Sequence, residues 1–309
     1  MIAVLGPTAS GKSALAQELA LAFGGEVVSA DSMQVYKGMD IGTGKLKPSE
    51  MRVVHHGIDL CDPDTSYSAA LYQTYARTCF QEIDARQKRS VLCGGTNLYV
   101  RAALDDYDFP RGEQVDNAIR AHYMRLAEEK GADALWDLLA QKDPQSAALI
   151  HPNNVRRVVR AFEMLEENTS YAHVHAHLHE IAQVVPAVFL GLAVEPACLN
   201  ARIDKRIEAM IEEGLLDEVA LLLKQGFREA ITAPQAIGYK EIVRFIDGEI
   251  TLDEACEEMK VATHRYAKRQ RSWLRSDARI TWLNADSGDI ETLFSQAGAL
   301  LATMESEMS

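Results

Sequence analysis

Residues 2–23 read IAVLGPTASGKSALAQELALAF. The apolar run Ile2–Leu5 predicts a strand, residues 6–13 a glycine-bearing loop, and Ser13–Phe23 a strongly apolar helix. Within the loop, Gly6-Pro7-Thr8-Ala9-Ser10-Gly11-Lys12-Ser13 matches G-x-x-x-x-G-K-[ST], in the strand-then-helix context the motif needs. Glycines let the backbone curl so that its N–H groups converge on phosphate oxygens. The helix N-terminus adds positive dipole. Lys12 supplies a mobile cation for the outer phosphates, and Ser13 a hydroxyl able to ligate Mg²⁺. The stretch predicts a polyphosphate cradle, without saying which polyphosphate fills it.

Beyond the loop and its helix, Glu26–Ala30 predicts a second strand, running into Asp31-Ser32. Tyr67–Arg86 reads as an amphipathic helix capped by Ser66 or Ser68. Ser90–Cys93 is a third strand, stopped by Gly94-Gly95, with Thr96–Leu104 turning helical. Alternating strands and helices predict an α/β fold: a P-loop NTPase-like parallel sheet flanked by helices. From about Asp105 to Val185 the strand signal disappears, and Asn117–Lys130, Ala132–Gln141 and Val155–Glu167 carry helical periodicity. Ala187–Ala193 then resumes strand character. The organisation expected is a core of residues 1–105 plus 186–309 with a helical insertion domain at 106–185. In the second half of the core, Pro196–Glu213, Leu215–Gln225 and Leu252–Arg275 read as helices, Ile280–Leu283 as the last strand and Ile290–Met304 as a closing helix.

With 309 residues, 47% of them apolar, the chain can bury a substantial core. No apolar run approaches the roughly 18–20 residues of a membrane span, so no membrane partner is expected. The N-terminus reads as a first strand, not a signal peptide. Five cysteines at wide spacing, none in C-x-x-C, support neither a disulfide framework nor a cysteine zinc site, and a reducing cytoplasm is the expected compartment. The net charge of −13 argues by itself against nucleic acid. Two stretches run the other way. Residues 264–279 hold Arg265, Lys268, Arg269, Arg271, Arg275 and Arg279 against the single acid Asp277, and residues 156–160 hold Arg156, Arg157 and Arg160 with no acid.

A nucleotide-hydrolysing P-loop protein also wants a carboxylate closing a neighbouring apolar strand, to organise Mg²⁺ and water. Ser90–Cys93 runs into Gly94-Gly95-Thr96-Asn97 and has none. The carboxylate that does end a core strand in this half is Asp31. At the carboxyl edge of a parallel sheet, where ligands sit, it could ligate metal or act as a general base. It could equally cap the next turn.

Taken together, GPTASGKS at 6–13, SADSMQVYKGMDIGTGK at 29–45, HHGIDLCDP at 55–63, GGTNLYV at 94–100, HPNNVRRVVRAFE at 151–163, RIDKRIEAMIEEGLLDEV at 202–219, QAIGYKE at 235–241 and AKRQRSWLR at 267–275 resemble the tRNA dimethylallyltransferase family in its bacterial form. The resemblance spans nearly the whole chain. It implies transfer of a dimethylallyl group from dimethylallyl diphosphate to N6 of adenine 37, beside the anticodon, in a subset of tRNAs, with Mg²⁺ as cofactor. The partners implied are dimethylallyl diphosphate and a tRNA anticodon stem-loop, and the protein is expected to be a monomer. The cradle would then grip a leaving diphosphate, which accounts for a P-loop without the second acid.

By the same resemblance Asp31 is the general base, Thr8 lies near the bridging oxygen, and Lys12 and Arg206 hold the diphosphate. Ser32, Met33 and Gln34 lie against the target base and Thr96 lines the channel. Arg156, Arg157 and Arg160 contact tRNA, with Lys268 and Arg269 on the second basic stretch. The chain departs from the family at Gly44-Lys45-Leu46, where Ala and then Pro are common, and at Asn97, where glycine is common.

Other features carry less. His173, His175, His177 and His179 alternate, and His175 and His179 would share a helix face at metal-ligand spacing, but no third ligand accompanies them. His55-His56 read as catalytic or structural, and Trp136, Trp273 and Trp282 as core. A small-molecule kinase would also use Lys12 and Ser13 but leaves the arginine clusters idle. A non-catalytic RNA-binding regulator would use the clusters but not Asp31 and the cradle.

Overall fold

The computed structural model describes residues 1–107, 109, 118–177, 182–230 and 232–307. The chain divides into two units, Met1–Asp105 with Val184–Ser309, and Asp106–Gln183. The first opens with β1 (Ile2–Leu5), helix α1 (Lys12–Ala22), β2 (Glu26–Ala30), β3 (His55–His56), α2 (Ala69–Ala85), β4 (Ser90–Gly94) and α3 (Asn97–Leu104). The second unit contains α4 (Ala118–Lys130), α5 (Ala132–Lys142), α6 (Pro144–Leu149), α7 (Val155–Glu166) and α8 (Tyr171–His177). The chain rejoins the first unit where the N–H groups of Val184 and Val185 both donate to the carbonyl of Leu104 (2.9 and 3.1 Å). It continues through β5 (Val188–Ala193), α9 (Pro196–Glu212), α10 (Leu215–Leu223), α11 (Tyr239–Ile246), α12 (Leu252–Ser276), β6 (Ile280–Asn284) and α13 (Ile290–Glu307).

The sheet runs β3-β2-β4-β1-β5-β6, with every pairing parallel. Parallel strands covered on both faces become unbroken apolar runs, and all of β1, β2 and β4 is buried. In register, Val4 faces Cys93 on one side and Leu190 on the other. The chain leaves β1 and enters β2 two places away, with β4 between them. That reversal opens a crevice at the carboxyl ends of the strands. Into it emerge the Gly6–Ser13 loop after β1, Asp31 after β2 and Gly94-Gly95-Thr96 after β4. Among the described residues no helix is long and apolar enough to cross a membrane.

The second unit is helical around its own core. Tyr123, Leu135, Leu139, Val158, Val159 and Phe162 are buried together, and the Tyr123 and Phe162 rings stack at 4.0 Å. Helix α7 starts at Asn154, whose side chain accepts from the Arg157 N–H. Asn117, expected to begin the first helix here, lies outside the described residues.

Some elements escape the sequence pattern. Strand β3 is two histidines long and exists because it pairs with Val27 and Val28 of β2. Helices α6 and α8 are too short for periodicity to register, and α11, as long as α3, goes unread in the sequence. Helix α11 starts behind Gly238 at φ 97°, whose N–H donates to Glu241.

At the amino-terminal end of β2, far from the crevice by sheet direction, Glu26 is buried with three basic neighbours. His56 Nε2 lies 2.7 Å away, Arg86 2.7 Å and Lys88 2.9 Å. Burial alone would raise this carboxyl, but the hydrogen bonds from His56, Lys88 and Arg86 outweigh it and hold its pKa at about 2. A carboxyl depressed in the folded state contributes stability above its unfolded value of 4.5 and loses it as pH falls toward 2. We therefore expect Glu26→Gln to lower the unfolding free energy by about 2 kcal/mol at neutral pH, because the basic partners are left at a buried, uncharged amide. In urea titrations the gap to the wild type should narrow steadily from about pH 5 to about pH 3. A gap that stays constant across that range would contradict this account.

Candidate active site

The loop between β1 and α1 closes through glycine-type geometry. Gly11 sits at φ 93° immediately before α1 and Ala9 is held at φ 60°, a conformation that costs a non-glycine residue and recurs at functional turns. At Gly6 a Cβ would meet the Ser10 hydroxyl, so a side chain there would have to displace it. Helix α1 has no side-chain cap, so its first-turn N–H groups are left facing the crevice. The Ser10 hydroxyl is buried with no hydrogen-bond partner among the described residues. Lys12 Nζ reaches the Pro7 carbonyl at 3.5 Å, a long hydrogen bond for an ammonium.

Two cations share this space. Burial lowers the Lys12 ammonium below its ordinary value, and the positive charge of Arg206 lowers it further against the opposing pull of Cys93 and Asp31. Arg206, on α9, is likewise lowered by burial, with Asp31 acting against the shift. Its Nη1 donates to Thr8 Oγ1 (3.4 Å) and its Nη2 to the Thr43 carbonyl (3.2 Å). Two desolvated cations that disfavour one another are poised for an anion, which would relieve both costs.

Asp31 follows β2 on the opposite wall. Its Oδ1 accepts from the Met33 N–H (3.0 Å), so the turn-capping reading of this residue is correct for one oxygen. Asp31 lines a cleft with Lys12, Ser13, Ser29, Gln34 and His55, closed on another side by Val27, Leu46, Met51 and Ile58. Ser32 N–H donates to Thr96 Oγ1 (3.2 Å). Gln34 accepts from Ser29 (2.9 Å) and donates to the Thr43 carbonyl (3.4 Å). The buried thiol of Cys93 is pushed up to about 11 by desolvation, while Lys12 and a hydrogen bond with Ser13 work against that rise. Ser13 and Asp31 oxygens are donors of the hard type that Mg²⁺ takes. Among the described residues no group of three or more His, Cys, Asp or Glu side chains is placed to hold a metal ion.

The IPP transferase family model matches residues 34–277. The chain belongs to that family. It is 42% identical to tRNA dimethylallyltransferase 2 of Syntrophus aciditrophicus, over 97% of this chain and 96% of that one. Among solved structures, the full-length tRNA isopentenylpyrophosphate transferase of Bacillus halodurans superposes with a TM-score of 0.73 at 40% identity, covering 99% of this chain and 96% of that chain. A eukaryotic dimethylallyltransferase described as acting on tRNA superposes with a TM-score of 0.81 at 28% identity, covering 96% of this chain and 77% of that chain.

The residues that sequence comparison with the family selects do not all stand alike. Thr8, Lys12, Ser13, Asp31, Ser32, Gln34, Thr96 and Arg206 are tied together around the crevice. Lys268 and Arg269 are exposed on α12, and the Arg269 guanidinium lies 5.8 Å from the centre of the Tyr266 ring. Arg156, Arg157 and Arg160 lie in the second unit. There Arg156 and Arg157 are exposed, whereas Arg160 donates to Glu163 (2.9 Å), a buried carboxylate that also binds Arg120 (2.6 and 3.1 Å). Arg279 is likewise drawn out of its basic stretch by buried Asp105 and by Asp277. Of the histidine run, His179 lies outside the described residues, and the His175 ring stacks on Tyr171.

One residue central to the geometry lies within the 267–275 stretch but is given no role by it. Gln270 is buried on α12, and its amide bridges two loops. Its Oε1 accepts from the Thr8 N–H (2.9 Å) and its Nε2 donates to the Gly95 carbonyl (2.9 Å). The signal available was positional: Gln270 sits on the buried stripe of α12 between Ala267 and Leu274, where an uncharged polar side chain needs a partner. Gln270→Leu keeps the bulk and strands both backbone groups. We expect it to cost about 2–4 kcal/mol of stability, from two buried groups left unsatisfied, measured by denaturant unfolding. A destabilisation below about 0.5 kcal/mol would mean that the bridge contributes no more than an ordinary surface interaction.

Proposed function

We propose that this protein transfers a dimethylallyl group from dimethylallyl diphosphate to the N6 amine of adenine 37 in tRNA, releasing diphosphate. The observation that carries the reading is the pairing of an uncapped helix terminus and two desolvated cations, Lys12 and Arg206, with a strand-end carboxylate across the same crevice. Membership of the family supports the substrate class.

In this reading the N6 lone pair forms the new bond to the allylic carbon. The carbon–oxygen bond breaks, its electron pair leaving with the diphosphate, and the N6 proton passes to the Asp31 carboxylate. The adenine amine is a weak nucleophile, its lone pair being delocalised into the ring, so removing the proton as the bond forms is where a base helps most. The α1 N–H groups, Lys12, Arg206 and the Thr8 hydroxyl stabilise negative charge as it develops on the leaving oxygens. Mg²⁺, held through Ser13 and the substrate's own phosphate oxygens, would supply further charge neutralisation there. Ser32, Met33, Gln34 and Thr96 sit beside Asp31 and are assigned to the extruded base. Entry of the adenine requires leaving its stack, which costs less in an unpaired loop. Lys268, Arg269, Arg156 and Arg157 are assigned to RNA phosphates. Arg160 is assigned chiefly to the Glu163 pairing within its own unit.

Asp31→Asn tests the chemistry. The amide keeps the turn contact to Met33 but cannot take the proton. With labelled dimethylallyl diphosphate and an anticodon stem-loop, the single-turnover rate should fall by about 10²–10⁴-fold while both substrates still bind. A rate within about threefold of wild type would sit far below that range and remove Asp31 from the base role.

Arg156→Ala combined with Arg157→Ala tests the RNA surface. Each guanidinium withdrawn from a phosphate should reduce the slope of log affinity against log salt by roughly 0.7–0.9. Affinity for dimethylallyl diphosphate should not change. An unaltered salt slope would place the RNA-binding surface elsewhere.

A further inference from the structure

Residues 40–44, Asp40-Ile41-Gly42-Thr43-Gly44, form the wall against which Arg206 rests. Thr43 offers its carbonyl to Arg206 Nη2 and to the Gln34 amide. Gly44, at φ 61°, packs so closely on the guanidinium that a Cβ there would collide with it. This segment is not held by a regular element. Apart from its own turn bonds and the Lys45 ammonium, which joins the Asp40 carboxylate (2.8 Å) to the Tyr36 carbonyl (2.6 Å), it is held by one carboxylate on α10.

Glu218 Oε2 accepts from the N–H groups of Asp40 (3.0 Å) and Ile41 (2.7 Å), and Oε1 from the N–H of Gly42 (3.2 Å). Oε1 also accepts from the Tyr239 hydroxyl (2.6 Å). Burial first, and then the Glu218 charge, raise that hydroxyl above its ordinary value, so it stays a donor. The Tyr239 ring in turn occupies the space a Cβ would need at Gly42. Three consecutive backbone N–H groups and a phenol thus converge on a single carboxylate, and each of these hydrogen bonds is stronger for meeting a charged acceptor.

We infer that Glu218, steadied by Tyr239, is a positioning residue that sets Arg206 for the diphosphate by holding the 40–44 segment. Nothing in the sequence motifs assigns it. Its partners are the N–H groups of Asp40, Ile41 and Gly42 and the Tyr239 hydroxyl, and it acts on Arg206 through Thr43 and Gly44. The inference rests on the functional reading above for the identity of the anion, but not for the geometry. Removing the carboxylate loosens the segment at three successive N–H groups and relaxes the carbonyl that orients Nη2, leaving Arg206 to rely more on the longer hydrogen bond to Thr8.

The test is titration of the full-length protein with inorganic pyrophosphate and Mg²⁺, alongside steady-state kinetics. A Glu218→Gln amide cannot accept from all four donors, because its N–H₂ replaces an oxygen that accepts two of them. Pyrophosphate affinity should fall about tenfold, the scale of one charge-assisted hydrogen bond. The KM for dimethylallyl diphosphate should rise in parallel, with the KM for RNA changed by less than about twofold. In an Arg206→Ala background the same substitution should alter pyrophosphate affinity by less than about twofold, since the route it acts through is gone.

Tyr239→Phe, which keeps the ring and removes one donor, should shift pyrophosphate affinity the same way by about two- to fourfold. It decides the matter if Glu218→Gln does not fold. Wild-type pyrophosphate affinity in both variants would overturn the inference, as would effects of Glu218→Gln and Arg206→Ala that simply multiply. A wild-type protein that binds pyrophosphate through Arg206 yet alkylates no RNA would instead sink the functional reading and leave this inference standing.

Discussion

A helix whose first turn has no side-chain cap must find acceptors for its N–H groups outside itself, and α1 begins in that state. Gly11 in the left-handed region, Ala9 strained beside it and the Ser10 hydroxyl without a partner among the described residues all follow from a loop shaped around something other than its own side chains. The same loop carries Lys12 into low dielectric beside Arg206. The free protein bears the cost of these desolvated donors and charges, and an anion with two phosphates would offset it. The rest of the first unit is arranged to keep that loop in place. Strand β1 lies inside the sheet between β4 and β5, Gln270 bridges Thr8 to the β4 turn, and Glu218 holds the segment behind Arg206.

The strand order explains why the chemistry can be brought to this loop. Because β4 intervenes between β1 and β2, the loops after those two strands diverge and leave a crevice. Asp31 then faces the cradle across a gap instead of lying beside it on a neighbouring strand. A carboxylate that completed β4 would sit where nucleotide-hydrolysing proteins organise water. Here that strand ends in Gly94-Gly95, and a Cβ at either position would strike backbone or the Gln270 amide. The site is thereby better suited to a leaving diphosphate and an incoming amine than to hydrolysis.

Much of this was legible in the residues. Buried parallel strands announce themselves as short apolar runs, so β1, β2, β4, β5 and β6 could be read directly, and the cradle and Asp31 with them. Strand β3 could not, since His55-His56 has no apolar alternation and is a strand only by virtue of its partner. Gln270 and Glu218 lie within quoted stretches, but their roles stay hidden for a related reason: each acts on backbone groups more than 170 positions away in the chain, and no local pattern encodes such a pairing. The arginine clusters show the same blindness to partners from elsewhere. A run of like charges reads as a surface, but Arg160 is taken by Glu163 within its own helix, and Arg279 by Asp105 from a distant part of the chain. Counting charges along the sequence cannot see a buried carboxylate arriving from elsewhere.

In the function proposed above, the cradle grips the diphosphate of an allylic donor and not a nucleoside triphosphate. Calorimetric titration of the wild type and of Lys12→Ala, each with dimethylallyl diphosphate and with ATP in the presence of Mg²⁺, tests it most directly. The wild type should bind dimethylallyl diphosphate more tightly than ATP. Lys12→Ala should weaken that affinity by at least about tenfold, the scale of one charge-assisted hydrogen bond. Tighter binding of ATP, or dimethylallyl diphosphate affinity indifferent to Lys12, would contradict it.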